Sequence, residues 1–68
     1  MTSGQHFKVL RKQKKIKLIA LGRIVGLSPA SISRYENNVS APSINTVDTL
    51  FDALGYRLIP VPKEYLIQ

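Results

Sequence analysis

Seven consecutive residues, Ser28-Pro29-Ala30-Ser31-Ile32-Ser33-Arg34, concentrate hydrogen-bonding side chains suited to contact with another molecule. The three hydroxyls can each donate or accept, and the Arg34 guanidinium is a planar fork that fits the O6 and N7 acceptors of guanine. A contact between Arg34 and phosphate alone is the competing reading. Upstream and within this run lie Lys8, Arg11, Lys12, Lys14, Lys15, Lys17, Arg23 and Arg34, eight basic residues with no acid in residues 1–34. Residues 35–68 set Arg57 and Lys63 against Glu36, Asp48, Asp52 and Glu64. The net charge of +6 therefore divides into +8 and −2, a polarity suited to a polyanion rather than to solubility alone. Lys12, Lys14, Lys15 and Arg23 form the candidate phosphate-binding patch, joined by Lys17 at the edge of the base-reading set.

Other chemistries are poorly supplied. One His, four acids and no Cys leave little acid–base material, no thiol nucleophile and no thiolate metal site. An enzyme, a bound metal and a cofactor are all unexpected. Five aromatic residues without a stacking cluster argue against single-stranded RNA. The polar start, Thr2 to Gln5, lacks a secretory signal pattern, and no apolar run approaches the roughly 20 residues that span a bilayer. Gly22, Gly26 and Pro29 break any interfacial helix that the lysines could begin, so no membrane partner and a cytoplasmic location are expected.

These side chains need elements to hold them. At 68 residues the chain makes one domain with a small core. Residues 5–14 read as a first helix with Phe7, Leu10 and Val9 on its apolar face. Leu18, Leu21, Gly22 and Val25 form one helical stripe in a second, stopped by Gly26. Ser28 as N-cap and Pro29 at the first helical position open a third helix to about Glu36, with Ile32 and Tyr35 inward and Asn37-Asn38 at its end. Ser43 caps a fourth, whose stripe of Ile44, Val47, Leu50, Phe51 and Leu54 is expected in the core, and Gly55 stops it. Two short helices joined through Gly26, the second sharply capped, form a helix-turn-helix whose second helix would enter the major groove by its N-terminal turn.

The run from Leu21 to Asn37, above all Ser31-Ile32-Ser33-Arg34-Tyr35-Glu36-Asn37, resembles the Cro/CI-type (XRE) helix-turn-helix family, and the likeness covers residues 5–55. It implies an all-α, lambda-repressor-like domain of four to five short helices that binds palindromic double-stranded operator DNA as a homodimer. It also implies a structural ion pair between Arg11 and Glu36. The DNA-contacting set expected on this basis is Lys17, Ser28, Pro29, Ala30, Ser31, Ser33, Arg34, Asn37 and Asn38. Four positions depart from the family. Pro29 and Ala30 stand where longer base-reading side chains are common, so readout is expected to rely more on Ser28, Ser31, Ser33, Arg34 and DNA shape. Leu18 stands where a polar phosphate ligand is usual, and Gly22 replaces the usual Ala at a helix cost of about 1 kcal/mol.

Residues 56–68 read as a separate C-terminal segment. Tyr56 to Val61 favours a β-strand, and Pro60 and Pro62 blunt one edge, leaving the edge of Arg57, Ile59 and Val61 open. A strand needs a partner for its backbone groups, so Arg57, Leu58, Ile59 and Val61 are expected to pair across a homodimer; packing on the chain's own helices is the alternative. The sequence Leu54 to Pro62 also resembles HipB-type antitoxins, which implies autoregulation of a HipBA-like or HipBST-like toxin–antitoxin operon and a HipA- or HipT-like kinase toxin as partner. Two alternatives stand beside this: a module that mainly binds and neutralises a kinase-like toxin, and a stand-alone regulator with no toxin. Ile19 and Ile24, apolar outside the second helix's stripe, weakly favour a protein partner.

Overall fold

The computed structural model describes residues 1–65 and is all-helical, with no strand among those residues. Four α-helices follow in order, α1 (Ser3–Gln13), α2 (Leu18–Val25), α3 (Pro29–Glu36) and α4 (Ile44–Ala53), and a 3-10 turn occupies Lys63–Tyr65. No helix is long and apolar enough to cross a membrane among the described residues.

Each boundary has a local cause. α1 begins earlier than its apolar spacing suggests, because Thr2 and Gln5 close a reciprocal capping box. α2 ends at Gly26, whose φ of 74° is the left-handed geometry that lets the chain reverse toward α3. Ser28 and Ser43 cap α3 and α4 by accepting from the backbone N–H of Ser31 and Thr46. Asn38, at φ 63°, turns the chain out of α3.

The helices bury Phe7, Leu21, Ile32, Tyr35, Leu50, Phe51 and Leu54 as one core. Phe7 sits at its centre, 5.2 Å from the Phe51 ring edge-on and 5.8 Å from Tyr35. α3 packs on both α1 and α2, and α2 also on α4, so α3 is held from behind while its opposite side stays open. Ile44 corrects the expected α4 stripe: it is 72% exposed, because at the first helical position it projects past the layer that begins at Val47.

Two glycines permit close backbone approach. A Cβ on Gly4 would fall inside van der Waals contact of the Tyr35 carbonyl oxygen, and one on Gly22 inside contact of the Leu27 carbonyl oxygen. Gly22 is thus more than a weak helix former: it lets α2 lie directly against the turn that leads into α3.

Residues 56–62 contain neither helix nor strand. A strand is defined by its ladder, and the described residues offer no second one. Among them, positions 57–61 make no backbone–backbone hydrogen bond. Leu58 is half-buried against the core, whereas Arg57, Ile59, Pro60 and Val61 are exposed. The expected tail to residue 68 runs past the described residues at 66–68.

Candidate nucleic-acid interface

The open side of α3 starts at its cap. The Ser28 hydroxyl accepts from the Ser31 backbone N–H at 3.1 Å and donates to the Ser31 hydroxyl at 2.9 Å. The Arg34 guanidinium donates to the same Ser31 oxygen at 3.3 Å, one helical turn on. Ser28, Pro29, Ala30 and Arg34 are exposed, and Ser31 and Ser33 are half-buried, so this face carries short side chains and one long cation. Short side chains leave room for a nucleic-acid backbone or base edge to approach the helix closely.

The other end of α3 is occupied from within. The Asn37 amide nitrogen donates to the Ser33 carbonyl at 2.9 Å and hydroxyl at 3.2 Å, while its oxygen accepts from Lys8 at 3.3 Å. The Asn38 side-chain oxygen accepts from the Thr2 hydroxyl at 2.7 Å. Both side chains are exposed, yet each is engaged with the chain itself.

Behind the face, Arg11 and Glu36 fix α3 to α1. Arg11 Nε and Nη2 donate to the two Glu36 oxygens at 2.6 and 3.0 Å, and Nη1 donates to the Ile16 carbonyl at 2.7 Å. The Arg11 and Glu36 side chains are only 9% and 2% exposed. The bidentate pair therefore also clamps the turn between α1 and α2, and no buried side-chain polar atom among the described residues lacks a partner.

Lys12, Lys14, Lys15, Lys17 and Arg23 are all exposed, and Arg11–Glu36 is the only ion pair among the described residues, so their charge is uncompensated by acids there. Lys14 is drawn aside: its ammonium lies 5.6 Å from the Tyr56 ring centroid, which ties it to the tail. Lys17 caps α2 without a side-chain hydrogen bond, so the first N–H groups of that helix stay open to an anion. Leu18, the apolar departure, packs half-buried against the core.

A cavity of about 220 Å³ beside α3 brings two further hydroxyls, Ser40 and Thr46, into one lining with Ser31 and Arg34. Sequence reasoning missed both. Their only sequence signal is the polar run that precedes and opens α4. Ile19 and Ile24 stand exposed on α2. No group of His, Cys, Asp or Glu among the described residues could hold a metal ion.

Comparison with known proteins gives the same picture of the chain's middle. A family model described as "Helix-turn-helix" matches residues 7–60. The antitoxin PezA of Streptococcus pneumoniae serotype 4 is 40% identical over 61 residues, covering 90% of this chain and 39% of that protein. The immunity repressor protein of Bacillus phage phi105 is 30% identical over 64 residues, covering 94% of this chain and 44% of that protein. The chain thus spans less than half the length of the curated relatives it matches. Among solved structures, the P22 c2 repressor protein in complex with synthetic operator 9T superposes with a TM-score of 0.74 at 33% identity, over 81% of this chain and 83% of that one.

Proposed function

The chain belongs to the helix-turn-helix family, of the Cro/CI type, and from that premise we propose that it is a sequence-specific transcriptional repressor that binds operator DNA as a homodimer. The observation that carries this reading is the start of α3: a capped, sterically open helix end bearing Ser28, Ser31, Ser33 and Arg34, flanked by uncompensated lysines. In this reading α3 enters the major groove by its N-terminal turn, with Pro29 and Ala30 against the groove floor and Arg34 at a base edge. Lys12, Lys15, Lys17 and Arg23, and the open first turn of α2, take phosphates and supply the salt-sensitive part of the affinity. Arg11 and Glu36 hold the geometry without touching DNA.

The unpaired backbone of residues 57–61 and the exposed Arg57, Ile59 and Val61 support an antiparallel pairing with a second copy. Two-fold symmetry then requires a palindromic operator with half-sites about one helical turn, or a multiple of it, apart. The likeness to the antitoxin PezA supports a toxin–antitoxin operon that the protein autoregulates, with a toxin as its protein partner. The HipB-like tail makes a HipA- or HipT-like kinase the toxin class to test first. The likeness to a phage immunity repressor favours a second reading, a stand-alone regulator with no toxin.

The test is a binding titration on the promoter of the protein's own gene across a salt series. The expected result is a saturable complex on that promoter, far weaker on unrelated duplex, with affinity falling steeply as salt rises. Equal, salt-independent affinity for both duplexes refutes the repressor reading. Copurification with the product of a neighbouring reading frame then separates the antitoxin from the stand-alone regulator.

A further inference from the structure

The hydrogen bonds around α3 have a direction, and that direction sets which base the helix can read. The Ser31 hydroxyl oxygen accepts from Ser28 at 2.9 Å and from Arg34 at 3.3 Å, so its two lone pairs are occupied. Arg34 carries only donors. At the far end of the helix the Asn37 amide, the group that would suit the donor–acceptor edge of adenine, has its nitrogen on Ser33 and its oxygen on Lys8. The Asn38 oxygen is taken by Thr2.

We propose that Ser31 is a positioning residue for Arg34, and that the guanidinium so held presents its remaining donors to the groove and selects guanine in each half-site. The inference rests on the operator reading above and deepens it. Guanine presents two adjacent acceptors in the major groove, whereas adenine and cytosine each present an amino donor that would meet a donor. Holding the guanidinium on Ser31 also removes rotamer freedom before DNA arrives, so less is lost on binding. Ser31 therefore acts through Arg34 rather than as a base contact of its own.

The experiment selects binding sequences from a random duplex pool with the full chain. It then measures affinities for the selected duplex, for G·C→A·T replacements, and for 7-deazaguanine at the guanine assigned to Arg34. Wild type, Ser31→Ala, Ser31→Thr and Arg34→Ala are compared, with melting temperature and affinity for random duplex as controls. Expected are a guanine requirement lost with 7-deazaguanine, and a preference reduced by about tenfold or more in Arg34→Ala. In Ser31→Ala the preference falls by about three- to tenfold. Ser31→Thr restores it, and the loss in Ser31→Ala is read as a fall in the ratio of affinities for the selected and the A·T-replaced duplex rather than as an equal loss on both. A selected sequence with adenine at that position, indifference to 7-deazaguanine, or an undiminished preference in Ser31→Ala overturns the inference while leaving the operator reading intact. Failure to enrich any sequence overturns both.

Discussion

Replacing Glu36 with Ala should cost this domain most of its stability, although Glu36 touches no ligand. The substitution leaves the Arg11 guanidinium, 9% exposed, with the Ile16 carbonyl as its one remaining partner in place of a bidentate carboxylate at 2.6 and 3.0 Å. An exposed pair would be worth well under about 1 kcal/mol. A buried charge stripped of its counter-ion costs about 3–5 kcal/mol, because its desolvation is no longer offset. A chain of 68 residues has a total of only about 3–10 kcal/mol to lose. For a domain of this size each kcal/mol moves Tm by about 4–8 °C, so a fall of at least about 12 °C is expected. Urea denaturation followed by far-ultraviolet circular dichroism measures the loss. Replacing both partners with apolar residues, Arg11→Met with Glu36→Leu, should recover most of it, because no charge is then left buried. A Glu36→Ala protein within about 1 kcal/mol of the parent would refute the reasoning and place the pair among ordinary surface ion pairs.

Other outcomes follow from the same geometry. Gly22→Ala gains about 1 kcal/mol of helix propensity but must displace the Leu27 carbonyl, an overpacking cost of about 1–3 kcal/mol, so thermal melting should show a net loss and a gain would refute the close approach. Ser28→Ala should cost about 1 kcal/mol through removal of the cap, read by the same melts, and should weaken operator preference as well. Joint Lys12→Ala, Lys15→Ala and Lys17→Ala replacement should lower affinity for every duplex and reduce the slope of log affinity against log salt by about 0.9 for each phosphate that is no longer neutralised, in a salt-series titration. Deleting residues 57–68, or introducing Ile59→Asp in the full chain, should give a monomer by light scattering; a dimer that persists at low concentration refutes the tail interface.

Local chemistry was the legible part of the fold. Capping serines, the glycine stop at Gly26 and the apolar stripes of α2 and α3 depend on neighbours within a turn, and the helices they imply are present. Even the early start of α1 was written as Thr2-x-x-Gln5, a capping box that apolar spacing alone passes over. Tertiary approach was not legible. Nothing near Ile44 in the chain says that the core layer starts one turn later, and the closeness of Gly22 to Leu27 depends on how the whole turn folds back. At the interface, the resemblance put Asn37 in the DNA-contacting set, and nothing in the sequence signals that its amide is also engaged by Ser33 and by Lys8, 29 positions away. Lys14 belongs by composition to the basic patch and by geometry to Tyr56. Hydrogen bonds between distant segments decide which polar groups are free, and a linear reading has no access to them.

The bond between Thr2 and Asn38 has a practical side. It joins the first turn of α1 to the exit of α3 at 2.7 Å, so whatever precedes Thr2 emerges beside the helix assigned to the groove. A purification tag, fluorophore or fusion partner placed at this end adjoins the threonine that anchors Asn38 and so acts on the exit of α3. A cleavable label is the better choice for quantitative work.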